Sequence, residues 1–177
     1  MTGDESLRDL IDKQAIHELV ASYCRAIDRR DYALLRSLYH EQAIEDRGAI
    51  FSGTAAEFVD FVQADAGNYE ITSHRLFNEF YAVDGDFAEG EIYCEAYHRT
   101  AGEESMEVIA GGRYLDRYEK RGGKWKFLFR TSTVDRCEVR PVNRDDYRQF
   151  VAGAPAGTPD ASDPSYRVLS LLARHQP

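Results

Sequence analysis

Apolar side chains recur at steps of three and four through the first helix-sized stretch: Leu7, Leu10, Ile11, Ala15, Ile16, Leu19, Val20, Tyr23, Cys24 and Ile27. That spacing keeps one face apolar for about six turns and predicts a long amphipathic helix over residues 7–27. Thr2 with Glu5, or Ser6 alone, supplies its cap. Asp31 then offers an N-cap for a short second helix running to residue 39 and burying Leu34, Leu35 and Leu38. A weaker strand pattern covers 43–47. Thr54 and Glu57 form a capping box ahead of Phe58, Val59, Phe61 and Val62, which predicts a third helix to about residue 66.

After Gly67 the period changes to two. Thr72, His74, Leu76, Asn78, Phe80 and Ala82 share one face of a strand over 70–83. Asp84-Gly85-Asp86 is a tight hairpin turn, and 87–100 is the return strand, with Ala88, Gly90, Ile92, Cys94, Ala96 and His98 on one side. Ala101-Gly102-Glu103 turns the chain into a third long strand over 105–120, where Gly111-Gly112 marks a bulge or bend. Arg121-Gly122-Gly123 turns it again into a fourth strand over 124–137. Helices followed by long meandering strands make an α+β domain. Strands of this length, with glycines partway, curl into a cone that the helices close. Beyond Pro141 the composition shifts, and 152–164 is rich in Ala, Gly, Pro and Asp. We therefore expect one domain over 1–140 and a C-terminal extension over 141–177, with a short helix over 165–174, acting as a lid or an oligomer contact.

Composition narrows the function. A chain of 177 residues with 43% hydrophobic content can build one real core. A net charge of −9, without a basic cluster interleaved with aromatics, argues against nucleic acid as a partner. Cys24, Cys94 and Cys137 are too widely spaced for a CxxC pair, which reads as reduced thiols in a cytoplasmic protein. The acidic N-terminus lacks the apolar stretch of a secretory leader, and no apolar run is long enough for a membrane partner. Neither a phosphate-cradling glycine loop nor a nucleophile elbow is present.

Three residues stand out by position. Asp28 ends the first helix on its apolar face, His74 lies mid-strand beside Leu76 and Phe80, and Arg130 lies in the last strand on the face of Leu128. Charges inside a curled sheet are costly unless paired. Each group also has a chemical use: His as a general base, Asp to orient its ring, Arg to hold developing negative charge. Taken singly, each has an ordinary explanation as a surface or core residue, and spacing alone does not bring them together. Trp125, Phe127 and Phe129 alternate as core or interface residues. His74, His98 and Glu95 are metal-ligating types without ligand spacing, so no metal is expected.

Tyr23-x-x-x-x-Asp28, His74 in the strand reaching Val83-Asp84-Gly85-Asp86, Gly111-Gly112-Arg113-Tyr114-x-Asp116-x-Tyr118-Glu119, and Gly123-Lys124-Trp125-Lys126-Phe127-x-x-Arg130 occur in that order. Together they resemble the nuclear-transport-factor-2-like superfamily. Within it they resemble the SnoaL-like branch, which includes hexachlorocyclohexane dehydrochlorinase, bile acid 7α-dehydratase and scytalone dehydratase. The resemblance covers about residues 7–139. It implies a cystatin-like α+β barrel, a cone-shaped curved mixed sheet closed by three N-terminal helices. It also implies an Asp28–His74 dyad assisted by Arg130 and Tyr23. His98 matches a second pocket histidine if it faces inward.

The activity implied is that of a cofactor-independent lyase, dehydratase or dehydrohalogenase, or of an isomerase. Its substrate would be a small hydrophobic ring compound contacted by Leu76, Phe80, Tyr97, His98 and Leu128. The superfamily also holds non-catalytic binding and assembly domains, such as the small subunits of ring-hydroxylating dioxygenases. A homodimer or homotrimer fits either reading.

Overall fold

The computed structural model describes residues 3–172. Helix α1 spans Gly3–Asp28, α2 Tyr32–Ser37 and α3 Ala55–Asp65. The strands are β1 Tyr39–Asp46, β2 Ser52–Thr54, β3 Tyr69–Asp84, β4 Phe87–Thr100, β5 Met106–Arg121 and β6 Lys124–Pro141. Two short helices follow, α4 Arg144–Phe150 and α5 Pro164–Val168. The strands form one six-stranded sheet in the order β2-β1-β6-β5-β4-β3. Only β1 against β6 is parallel. The sheet is curved and not closed, and the first three helices cover its concave face.

The local signals behave as physical chemistry requires. Asp31 accepts the Leu34 amide at 3.0 Å and starts α2. Thr54 and Glu57 satisfy each other's orphan amides and start α3. The four long strands fall where the period-two pattern puts them, and β6 runs on to Pro141. Neither β2 nor α4 is anticipated by the sequence pattern, both being very short. The expected cap at Thr2 lies outside the described residues, and the helix expected over 165–174 is shorter, starting at Pro164 and ending at Val168.

The helices bury Ile16, Val20, Leu35 and Val59 against Ile92, Tyr118 and Phe127 of the sheet. Leu7, Leu10 and Ile11 on the first turns of α1 stay 54–63% exposed, because the helix starts beyond the sheet's cover. The sequence places all six of the even residues 72–82 on one face of β3, and the structure corrects this. Pairing jumps from Leu76↔Cys94 to Glu79↔Ile92, so one extra residue sits in β3 and every later side chain changes face. Glu79, Tyr81 and Val83 turn inward, and Phe80 is left 64% exposed on the outer face. A second bulge lies in β6, where Phe127 pairs with Tyr118 and Phe129 with Arg117, leaving Leu128 unmatched. Leu128 and Arg130 therefore do not share a face.

Gly112 explains one bend. A Cβ built there would lie 1.9 Å from the Thr133 carbonyl oxygen, whereas at Gly111 it would meet only the flexible Arg136 side chain. Gly112→Ala should therefore destabilise the fold by about 1–3 kcal/mol or more in urea titration. Gly111→Ala should change it by less than about 0.5 kcal/mol. Equal effects would show that the close strand approach is not what requires Gly112.

Candidate active site

α1 ends in a Schellman arrangement: the Asp31 amide donates to the Ala26 carbonyl at 2.9 Å and the Arg30 amide to Ile27 at 3.2 Å. Arg30 takes the left-handed position, φ 53°, normally given to glycine. Its guanidinium donates to the Tyr69 carbonyl oxygen at 2.6 Å, which ties the helix end to the start of β3. Asp28 is thereby fixed as the last helical residue, facing the sheet.

There Asp28 Oδ2 accepts the backbone amide of His74 at 2.9 Å, and Oδ1 lies 2.7 Å from His74 Nδ1. A carboxylate can only accept, so Nδ1 carries the proton and Nε2 keeps the lone pair. Both side chains are close to buried, 9% exposed for His74 and 12% for Asp28. His98, paired next to Thr72 on β4, points to the same side and meets the His74 ring edge-on at 5.6 Å. Burial, with His74 adding to it, lowers the His98 imidazole to about 4, so it is neutral at neutral pH.

His74 and His98 open into a cavity of about 330 Å³ between the helices and the concave sheet, at the small end of ligand pockets. Ile27, Phe58, Val62, Ala96 and Ala110 give it an apolar wall. Tyr23 and Arg47 also line it. Arg47 donates to the Tyr23 hydroxyl at 2.9 Å, to Ser132 Oγ at 3.0 Å and to Glu45 Oε2 at 3.0 Å. Glu45 is fully buried and also accepts from the Tyr39 hydroxyl. Burial, only partly countered by Arg47, pushes the Tyr23 hydroxyl up to about 12, so it stays a donor.

Arg130 does not reach the cavity wall. Fully buried, it makes a bidentate pair with Asp116 at 2.7 and 2.6 Å, and its guanidinium lies 4.2 Å from the ring centres of Tyr23, Tyr114 and Phe127. Burial weakens its charge, and Asp116 more than restores it. Tyr118 donates to the same carboxylate at 2.6 Å. The β6 bulge sets this partnership, because it brings Arg130 into register opposite Asp116.

Among the expected contact residues, only His98 lines the cavity. Leu76 packs against the core, Tyr97 turns to the other face and donates to Glu107 at 2.8 Å, and Phe80 and Leu128 lie elsewhere. Tyr97 and His98 are neighbours on a strand and cannot share a face. Arg30 also lines the cavity. Arg47 is missed by sequence reasoning, although Ala43, Glu45 and Arg47 alternate on one face, an apolar residue followed by two opposite charges. Among the described residues no cluster of three His, Cys, Asp or Glu is disposed to hold a metal. No described residue after Pro141 lines the cavity. Instead the extension meets the last turn of α1, with an Arg29–Asp163 ion pair at 3.3 Å and Arg25 5.1 Å from the Tyr166 ring centre.

A model of the SnoaL-like domain matches residues 8–131. The chain belongs to this family. An uncharacterized protein of Mycobacterium tuberculosis is 25% identical over 130 residues, covering 72% of this chain and 88% of its own. Among solved structures, a protein assigned as scytalone dehydratase from Novosphingobium aromaticivorans superposes with a TM-score of 0.68 at 24% identity, covering 76% of this chain and 93% of that one. A hexachlorocyclohexane dehydrochlorinase of type 2 gives 0.68 at 21%, covering 77% and 93%. At these identities the likeness establishes the SnoaL-like cone as the fold. No described helix is long and apolar enough to cross a membrane.

Two measurements test the polar groups. Arg130→Met leaves Asp116 buried and unpaired, so it should cost about 3–5 kcal/mol in urea titration. Arg130→Met with Asp116→Leu should cost clearly less; a single variant at wild-type stability would refute the structural role. For His98 the unfolded chain takes up its proton near 6.5 and the folded chain near 4. The unfolded state therefore binds more protons in between, and stability falls as pH drops through that window, by about 3 kcal/mol once below it. His98→Asn should remove that part of the slope in paired unfolding curves, and identical curves would contradict it.

Proposed function

We propose that this protein is a cofactor-independent lyase or isomerase acting on a small hydrophobic ring compound. The observation that carries the reading is the pair of hydrogen bonds that His74 donates to Asp28, from its backbone amide and its ring, at the wall of an apolar cavity. With Nδ1 engaged by the carboxylate, Nε2 is the base that removes a proton from carbon. As His74 becomes an imidazolium, Asp28 holds the new charge in place. His98 stays neutral beside it and adds no competing positive charge. Tyr23, keeping its proton, can donate to a leaving or carbonyl oxygen. Relatives of this fold named as a scytalone dehydratase and a hexachlorocyclohexane dehydrochlorinase support a lyase, without indicating the leaving group.

Arg130 is assigned a structural part here, supporting the Tyr23 and Tyr114 rings from beneath. Phe77, Phe80 and Phe87 are exposed on the sheet's outer face and support packing between copies of the chain as a homo-oligomer. An assembly domain alone would have no use for an oriented imidazole in a cavity, which is why the catalytic reading is preferred.

The test is proton exchange or elimination on a panel of cyclic ketones and cyclic β-halo compounds in D₂O, followed by NMR. Wild type should accelerate at least one. His74→Ala should lose roughly 10²–10⁴-fold while its melting curve and near-UV circular dichroism stay native. Full activity in His74→Ala would end the proposal.

A further inference from the structure

The concave face of the sheet does not stop at the cavity. Directly opposed residues on neighbouring antiparallel strands share a face. Three such rows cross from the cavity floor to β6: Cys94–Gly112–Val134, Ala96–Ala110–Cys137 and His98–Val108–Val139. Their β4 members line the cavity, as do Gly112, Ala110 and Val134. Their β6 members lie in the open, with Val134 64% exposed, Val139 57%, and Cys137 exposed as well. Val139 is two strand spacings from His98, roughly 10 Å.

One extra residue keeps this strip apolar. Pairing steps from Gly112↔Val134 to Gly111↔Arg136, so Asp135 is unmatched and the alternation of β6 resets. Without that bulge Arg136 and Glu138 would follow Val134 onto the concave face. With it they turn to the outer face, where Arg136 pairs with Glu95, and beyond them Arg140 pairs with Glu107 at 2.7 Å. Asp135 itself meets Arg113 at 3.2 Å. The close approach of Gly112 to the Thr133 carbonyl lies at this same bulge.

The helix side of the opening is apolar too. Phe61 of α3 and Ile50 of the turn between β1 and β2 line the cavity while 39% and 72% exposed, so they stand at its mouth. Phe51 holds this side in place, with ring centres 5.5 Å from Phe58 and 5.3 Å from Phe61. Arg47 ties the turn to Ser132, two residues before Val134. The five side chains present on the order of a few hundred Å², the size of a functional apolar patch. That is well under the roughly 800 Å² per partner of a stable contact between two copies. The net charge of −9 disfavours an anionic lipid surface as the cover. A ligand too long for a cavity of about 330 Å³ leaves it at this mouth.

Resting on the reading of the cavity as a site for a ring compound, we propose that the ligand carries an apolar chain on its ring. Ile50, Phe61, Val134, Cys137 and Val139 form the groove that receives the chain. The ring stays beside His74, and the chain runs out over the concave face of β6. Chain length, rather than ring identity alone, then sets affinity.

The probes are 4-ethylphenol, 4-butylphenol and 4-hexylphenol, titrated by calorimetry at neutral pH, where all three are uncharged. Affinity of the wild type should rise about two- to fourfold per added methylene. Val139→Asp should bind 4-ethylphenol within about twofold of wild type and lose most of the gain from ethyl to hexyl. Val134→Asp with Val139→Asp should lose all of it, with a native melting curve. His74→Ala should keep the gain. Equal affinities along the series, no binding at all, or a gain that survives both groove variants would overturn the proposal. So would a groove variant that changes the oligomeric state in sedimentation, which would assign the strip to a second copy. Flotation with phosphatidylcholine vesicles that the double variant abolishes would likewise assign it to a lipid surface. A chain-length gain that tracks the groove while no substrate turns over would leave the groove standing and refute the lyase or isomerase reading instead.

Discussion

The site depends on one carboxylate placed against local electrostatics. Asp28 lies at the C-terminal end of α1, where the helix dipole is negative and a negative side chain is disfavoured by about 0.3–1 kcal/mol. Two hydrogen bonds offset this, from the His74 amide and from its ring, and they lock a helix end to a strand interior. The same placement favours a cation. When the imidazole takes up a proton, the Asp28 carboxylate and the helix end both stabilise it. A position that is poor for an isolated aspartate is therefore a good one for an aspartate behind a base.

Holding that pair requires the helix end to stay still, and the surrounding chain supplies the restraints. Arg30 accepts a left-handed backbone and reaches Tyr69. Arg25 and Arg29 are engaged by the extension, where Asp163 is held down to about 2: burial raises it, but hydrogen bonds from Ser165 and Thr158, with Arg29 nearby, outweigh that. Beneath the cavity, Arg130 and Asp116 form a fully buried bidentate pair, with Arg130 Nη1 left without an acceptor, and brace the Tyr23 and Tyr114 rings from below. The cavity is thus bounded by charged groups that are already paired, leaving a free acceptor at His74.

Much of this was legible in residue order. The helix period, the capping box at Thr54 and Glu57, and the glycine turns located α1, α3 and the four long strands, because those signals are local. Asp28, His74 and Tyr23 were named on positions and family resemblance together, and the structure brings His74 and Tyr23 to one cavity with Asp28 behind the imidazole. What failed was long-range phase. A single extra residue in β3 turned Phe80 outward, and one in β6 separated Leu128 from Arg130 and gave Arg130 to Asp116. Bulges leave no reliable composition mark, so alternation counted across them inverts. Arg47 was passed over because its strand is short and its partner Glu45 makes the pair look like surface charge, although both share the face of buried Ala43.

The orientation of the His74 imidazole is the point on which the account turns, and ¹⁵N NMR of the ring reads it directly. At a pH where the ring is neutral, Nδ1 should show the shift of a protonated nitrogen and Nε2 that of a lone-pair nitrogen, and this pattern should be lost in Asp28→Ala. An Nε2-protonated ring in the wild-type protein, or a tautomer indifferent to Asp28, would contradict it.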